Sequence, residues 1–498
     1  MSEAATENER FPLKPVPIIA GLLLFLLLLF LPAPEGLSVE GWRVVAVASL
    51  MIVWWITEAI PVPATALAPI ALFPITGAAS GSEATSPYGD PIIFLFMGGF
   101  ILALAMERWN LHRRIALNIV ARTGTQQGRI VAGFMLATAF VSMWVSNTAT
   151  VVMMLPVALS VVGLLADDAD GAKSKFPLAL LLGVAYAASI GGVATLIGTP
   201  PNALLAGALN QTYGYDIGFG RWMIIGVPVA IVMLFAAWLF LTKLTIRLDK
   251  GEVEGAAGLF RAEIGKLGVW SAPEIRVAIV FVVTAFAWVF RTLLDDYIPG
   301  LNDTSIAILA ALVLFVLPAG DGKGGALIAW KQALRLPWGV LVLFGGGLSL
   351  AAAVVSTGLD QWIGDQVGTI AGVLPLLGIV VLVSVVILLL TEFTSNTATA
   401  ATFLPLVAAL AISLGENPLM LAVPAALAAS MAFMLPVATP PNALVFGSGH
   451  VTIPQMATQG IWLNLAAVVV ISTLGYAVLT SFFGVEVGSI PDWAARTQ

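Results

Sequence analysis

Ser146-Asn147-Thr148-Ala149-Thr150 lies in one apolar region of the chain, and Ser395-Asn396-Thr397-Ala398-Thr399 lies in another. Each copy is followed by a second paired stretch, Gly198-Thr199-Pro200-Pro201-Asn202 after the first and Ala438-Thr439-Pro440-Pro441-Asn442 after the second. A third echo precedes them, Phe94-Leu95-Phe96-Met97-Gly98-Gly99-Phe100 against Leu341-Val342-Leu343-Phe344-Gly345-Gly346-Gly347. From Gly98 to Gly345, Ser146 to Ser395 and Gly198 to Ala438 the offsets are 247, 249 and 240 positions, so order and register are kept. The chain carries an internal duplication of a long unit.

Hydrophobic residues make up 59% of the 498 residues and charged residues only 10%, against about 25% charged in a soluble domain. Many apolar runs reach the ~20 residues that cross a bilayer core as helix. The fold class is an all-α polytopic membrane protein. The net charge of −6 says little about partners, and nothing points to nucleic acid. Absence of cysteine excludes disulfides and thiolate metal sites. With only His112 and His450, and no nucleotide-binding or nucleophile-elbow motif in context, an enzyme is not expected.

Polar residues 1–15 lead into an apolar run, 16–31, read as a first span rather than a cleaved signal peptide because no small-x-small site follows. Further spans are expected near 41–59, 62–77, 91–107, 178–209, 222–243, 277–294, 304–318, 338–356, 419–446 and 455–483. Residues 130–166 and 371–414 hold the two Ser-Asn-Thr motifs. In the first, each arm is about 16 residues, short for a crossing and suited to a re-entrant hairpin. The second hairpin's first arm is longer, so length does not decide between re-entry and two ordinary spans. With the N-terminus inside, every Lys and Arg except Arg43, Arg221, Arg291 and Arg496 falls on the cytoplasmic side. That gives eleven spans, a C-terminus outside and two inverted-topology repeats. The charged stretch 244–276 reads as a cytoplasmic connector.

Asn, Thr and Pro-Pro in apolar surroundings need an explanation, because unsatisfied polar groups in a bilayer are costly. Pro200-Pro201 and Pro440-Pro441 remove backbone donors and disfavour helix at the preceding residue. Two long helices are therefore expected to break in mid-membrane. Freed carbonyls and hydroxyls suit a hard cation such as sodium, and half-helix N-termini suit an anion. Broken helices at corresponding places in inverted halves point to a transporter binding site. Asn147 and Asn396 offer an amide oxygen to a cation and N–H₂ to a carboxylate. Ser142 and Thr391 stand four residues before Ser146 and Ser395, one helical turn away, so each pair is expected to share a face. Neither cluster contains Lys or Arg. Glu58 and Glu392 are the acids that sit worst in their surroundings. A structural carboxylate satisfied by backbone or hydroxyl donors is the favoured reading of Glu392, with proton coupling as its alternative.

Together these motifs resemble the divalent anion:sodium symporter family, which carries di- and tricarboxylates, and the markers run from Phe94 to Asn442. The resemblance implies sodium-coupled carboxylate uptake in the plasma (cell inner) membrane, with no organic cofactor, by a homodimer working as an elevator. Some relatives exchange carboxylates without sodium, which leaves that coupling open. The implied first sodium site matches Ser142, Ser146, Asn147 and the Gly198 carbonyl; the second matches Thr391, Thr394, Asn396 and the Ala438 carbonyl. Substrate carboxylates would meet Asn147, Thr148, Thr199, Asn396, Thr397 and Thr439. The implied division places scaffold helices in 1–128 and 277–366. The transport halves then fall in 129–250 and 367–498, with the connector at 251–276.

Overall fold

The computed structural model describes residues 14–165, 175–295, 297–371 and 374–495. Among them every regular element is helical, and eight helices are long and apolar enough to cross a membrane. Seven further apolar helices are shorter, 10–17 residues, among them Pro15–Phe30 and Asp303–Val316. Arg10, Lys173 and Arg496, used above for sidedness, lie outside the described residues.

Two runs of elements follow the same order. The first is Pro91–Arg108, Leu111–Ala121, the helix pair Gln127–Ser142 and Asn147–Gly163, the interrupted pair Phe176–Gly192 and Pro200–Tyr213, then Phe219–Leu239. The second is Trp338–Ser356, Leu359–Ala371, Leu376–Phe393 with Asn396–Ser413, Leu419–Ala428 with Pro440–Gly447, then Ile453–Val470. Phe219–Leu239 and Ile453–Val470 each run on into one π-helical turn, Phe240–Leu244 and Ile471–Gly475. We call the motif-bearing pairs hairpin 1 and hairpin 2, and the gaps at 193–199 and 429–439 the two breaks.

Hairpin 1 has arms of 16 and 17 residues, in line with the short arms expected. Both arms of hairpin 2 have 18, and its first arm begins at Leu376, because residues 359–371 form a separate helix. That helix and Leu111–Ala121 were not expected as elements: Arg113, Arg114 and Asp360 hide them from an apolar-run reading. Both breaks end where a proline starts the next half-helix, Pro200 and Pro440, the position proline tolerates best.

The half-helices cross-pack. Phe176–Gly192 touches Pro440–Gly447, while Pro200–Tyr213 touches Leu419–Ala428 and hairpin 2's Asn396–Ser413. The glycine-rich echo serves packing at close range. A Cβ on Gly98 would stand 2.6 Å from the Ala307 carbonyl carbon, so only glycine lets Pro91–Arg108 lie this near Asp303–Val316. In the second copy Gly346 meets Ala66 in the same way. The connector forms a helix, Ala256–Leu267, against Leu111–Ala121. It is fastened by Arg114, which pairs with Glu274 and donates to the Gly268 and Leu267 carbonyls (3.0 and 3.1 Å).

Candidate functional site

One cavity of about 1090 Å³ is lined by both Ser-Asn-Thr motifs and both Thr-Pro-Pro stretches. Asn147 and Asn396, far apart in sequence, share its wall. Phe96, Phe100, Ile197, Phe393 and Val437 supply apolar wall, and Lys14, Glu58, Glu107 and Arg335 add charge. Gly99 abuts Ile197, which marks the level of the motifs on Pro91–Arg108. Glu107 stands eight residues further along that helix, about 12 Å at 1.5 Å per residue. The charged residues therefore rim the cavity while the motif level stays neutral. Glu58 is exposed and left-handed (φ 47°) at the C-terminus of Val39–Thr57, so it belongs to this rim.

Each hairpin tip is built by the same local logic. Gln127–Ser142 ends at Ser142, and Ser146 caps the next helix by accepting from the Ala149 N–H (3.2 Å). In hairpin 2 the helix ends at Phe393, and Ser395 accepts from the Ala398 N–H (3.5 Å). The helix is interrupted between the members of each expected hydroxyl pair, so Ser142–Ser146 and Thr391–Ser395 do not form faces one turn apart. The hydroxyls turn instead to the asparagines. Ser142 Oγ lies 2.6 Å from Asn147 Oδ1 and 2.8 Å from the Ala188 carbonyl. Thr391 Oγ1 lies 2.6 Å from Asn396 Oδ1 and 3.0 Å from the Ala429 carbonyl. Ser142 and Thr391 are fully buried and stand behind the cavity wall, fixing the amides that line it.

The breaks are organised by the second Asn of each copy. Asn202 Nδ2 donates to the carbonyls of Gly192, Val193 and Thr195 (3.3, 3.3 and 2.8 Å), and Asn442 Nδ2 to those of Ala432 and Leu435 (3.3 and 3.1 Å). Much of the carbonyl set freed by each break is thereby used internally. What remains converges: a Cβ placed on Gly192 would meet Asn147 Oδ1 at 2.7 Å and the Gly198 carbonyl oxygen at 3.0 Å. Neutral oxygens of that kind fit a hard monovalent cation. Among the described residues, no group of three His, Cys, Asp or Glu side chains is placed to hold a metal.

Four half-helices begin at the cavity, at Asn147, Asn396, Pro200 and Pro440. The proline pairs carry no N–H, and Thr439 Oγ1 accepts the Asn442 N–H (3.3 Å), so these two ends offer a dipole with few donors. The Asn147–Thr148 and Asn396–Thr397 N–H groups have no helical acceptor and are the donors available to an anion. The threonines divide likewise. Thr148 is exposed and Thr397 half-buried on the cavity wall. Thr199 and Thr439 are buried, with Thr199 Oγ1 3.5 Å from Ser430 Oγ. Thr394, expected among cation ligands, spends its hydroxyl on the Leu390 carbonyl (2.8 Å) and Thr399 (2.6 Å).

Two residues escaped the sequence reading. Thr195 Oγ1 donates to the Met143 carbonyl (2.5 Å), tying break 1 to hairpin 1. Asn464 donates to Glu392 (2.7 Å), whose carboxylate also accepts the Phe433, Met434 and Leu435 N–H groups (2.8–3.1 Å). Glu392 is thus satisfied by backbone donors, as expected. The signal for Thr195 lay in reading position 143 against 392, with the 249-residue offset.

Comparison with known proteins identifies the family and the fold. The family model described as the sodium:sulfate symporter transmembrane region matches residues 14–482. A Staphylococcus saprophyticus protein named sodium-dependent dicarboxylate transporter SdcS is 45% identical over 491 residues, covering 97% of this chain and 94% of its own. The Staphylococcus aureus (strain USA300) protein of that name is 43% identical over 482 residues, covering 95% and 92%. In fold alone, the Alcanivorax borkumensis YdaH transporter is similar over 94% of this chain and 99% of its own, with TM-score 0.55 at 16% identity. Neisseria gonorrhoeae MtrF is similar over 93% and 95%, with TM-score 0.57 at 13% identity. Matched from Lys14 to Phe482, this multi-pass membrane protein belongs to the sodium:sulfate symporter family.

Proposed function

We propose that this chain is a secondary transporter that couples sodium entry to uptake of a C4-dicarboxylate. The observation that carries the reading is the single cavity on which both Ser-Asn-Thr turns open, neutral at the motif level and rimmed by charge. A dianion entering there finds the Thr148 and Thr397 hydroxyls, the asparagine amides and two sets of free helix N–H groups. It meets no Lys or Arg at that depth, so mobile cations must supply positive charge, or desolvation makes binding unfavourable. The first cation site uses Ser142, Asn147 and the Gly198 carbonyl, with Ser146 as cap. The second uses Thr391, Asn396 and the Ala438 carbonyl, with Thr394 contributing through its backbone. The relatives named sodium-dependent dicarboxylate transporter support the same pairing of cation and substrate.

With a cytoplasmic N-terminus, Lys14 and Arg335 place the cavity rim inside, so this conformation faces inward. The two halves are then inverted repeats, and hairpins and broken helices move as one body against the helices of 1–128 and 277–366. Exposed apolar residues along Ala272–Val289, such as Ile279, Val283 and Phe286, suit lipid or a second copy in a homodimer.

Reconstituted liposomes carrying the full chain test this reading with labelled succinate, citrate and sulfate. Uptake of succinate under an inward sodium gradient is expected, with loss in choline. Equal uptake in choline, driven by internal carboxylate, would replace symport by exchange.

A further inference from the structure

Away from the cavity, an ion cluster joins the segment that follows break 1 to the helices of 277–366. Arg291 Nη1 lies 2.8 Å from Asp216 Oδ2 and 3.4 Å from Asp303 Oδ2, and Asp303 Oδ2 also accepts the Phe219 N–H at 2.6 Å. Asp303 is buried. Its carbonyl takes the Trp288 indole N–H (3.0 Å), and the Trp288 ring stacks on Phe219 with centroids 4.6 Å apart and planes 13° apart. A Cβ on Gly220 would stand 2.7 Å from the Val289 carbonyl oxygen, so the two segments meet at their backbones.

Phe219–Leu239 is fastened to break 1. Trp222 Nε1 donates to the Val193 carbonyl (2.9 Å), and a Cβ on Gly226 would stand 2.5 Å from that same oxygen. Trp144, in the tip of hairpin 1, stacks on the Phe219 ring (6.0 Å). Trp288, Arg291 and Asp303 belong instead to the other body, where Asp303–Val316 packs on Pro91–Arg108. Thr304 Oγ1 donates to the Pro91 carbonyl (2.8 Å), which sets the cluster beside the start of Pro91–Arg108. Glu107, on the cavity rim, stands sixteen residues along that helix, about 24 Å away at 1.5 Å per residue. The cavity opens at one end, and the cluster stands at the other. The matching helix of the second half, Ile453–Val470, starts at the cavity-rim end, where its Gln459 accepts the Thr245 hydroxyl. It is capped by its own Thr452 and Gln455, without an acid from another segment.

Resting on the moving-body reading above, we propose that Asp216, Arg291 and Asp303 form a latch that holds the inward-facing conformation. It must part before the cavity can open to the other side. Displacement of Phe219–Leu239 together with the hairpins separates Phe219 from Asp303 and Asp216 from Arg291 in one step. Water meets the charges once they part, so the latch biases the two conformations without locking either. Charged hydrogen bonds are roughly twice as strong as neutral ones. Arg291 and Asp303 are better buried than Asp216, with side chains 19%, 7% and 54% exposed, and carry most of the bias.

Because the chain has no cysteine, introduced thiols stand alone. In reconstituted liposomes an Asp216→Cys, Arg291→Cys double variant is bridged by a bifunctional methanethiosulfonate. Succinate uptake should be lost and should return when a reductant cleaves the bridge. Full uptake with the bridge in place, or failure of the two thiols to bridge, would overturn the proposal. A second measurement uses Val437→Cys, at a position 73% exposed on the cavity wall, labelled on intact cells with a membrane-impermeant maleimide. Labelling from outside is slow with the latch intact. Arg291→Gln and Asp303→Ala should each speed it about 10-fold, and Asp216→Asn less. A role in folding alone would lower the thermal midpoint and leave that rate unchanged, which refutes the latch. Should the double variant carry no uptake before bridging, the labelling rates decide. Uptake that needs no sodium would strike the symport reading and leave both readouts standing. Sodium-coupled uptake through a bridged latch would strike only this proposal.

Discussion

The two halves of the site share a frame and differ in how it is fastened. In both, a buried hydroxyl holds an asparagine oxygen at 2.6 Å and a carbonyl of the neighbouring broken helix at 2.8–3.0 Å. In both, a second asparagine gathers the carbonyls of the break. Yet break 1 is pinned by a threonine hydroxyl on a backbone carbonyl, and break 2 by a carboxylate on three backbone N–H groups. Break 1 closes through Gly192 and Gly198, while break 2 has Ala432 and Ala438 at the matching positions. A Cβ at Gly192 would crowd Asn147 in a way real Cβ atoms essentially never do, so break 1 requires glycine where break 2 carries the Ala432 methyl. The two copies keep the groups that line the cavity and differ in the supports behind them.

Substitution at the matched loop position should break this comparison most severely. Gly192→Val drives a branched side chain into Asn147 and the Gly198 carbonyl, a cost of about 3 kcal/mol. Uptake should fall by about 150-fold or more, whereas Ala432→Gly changes it less than about 3-fold. Comparable losses from both would show the loops to be equivalent after all.

Next in size come the hydroxyls that face the cavity. On the proposed function, Thr148→Ala and Thr397→Ala each remove a bond to a charged carboxylate, about 1.5–3 kcal/mol, or roughly 10- to 150-fold in half-saturation for succinate. Thr199→Ala and Thr439→Ala, whose hydroxyls are turned into protein, should move it far less. An unchanged half-saturation in the first pair would reduce Thr148 and Thr397 to packing residues.

Smaller effects are expected behind the wall. Ser142→Ala and Thr391→Ala each loosen an asparagine by one neutral hydrogen bond, about 0.5–1.5 kcal/mol. Sodium-dependence curves for uptake should shift roughly 2- to 13-fold. The smallest effect is a control outside both halves. Lys266 and Arg113 hold the Glu263 carboxyl below its ordinary range, Lys266 chiefly through its hydrogen bond. Because the folded value is lowered, that stability is present above the usual carboxylate range and is lost as pH falls through the lowered value. Lys266→Ala should cost no more than about 1 kcal/mol by thermal unfolding, as surface pairs do, and leave transport intact.

Much of this was legible in the sequence because bilayers restrict what polar residues can mean. Asn147, Asn396 and the two Pro-Pro pairs stand out from an apolar background, and their repetition ties them together. The helix boundary at Ser142 was not legible. Whether a hydroxyl four residues before another shares its face depends on where the turn falls, and Ser146 is a helix cap as readily as a helical residue. Leu111–Ala121 and Leu359–Ala371 were missed because amphipathic connectors carry the charges that an apolar-run reading treats as loop. Thr195 and Met143 carry no signal as residue types. Their role shows only when the two copies are superposed and Glu392 is seen to do the same task.

The cross-packing of the half-helices also bears on how the chain is made. Pro200–Tyr213 is covered by Leu419–Ala428, and Phe176–Gly192 by Pro440–Gly447. At ~5–20 residues per second, those partners leave the ribosome roughly 10 to 50 s after the segments they cover. During that interval a break bearing Thr195, Thr199 and Asn202 waits in the membrane without the surface that shields it. The packing of the first broken helix is thus complete only when the second has arrived.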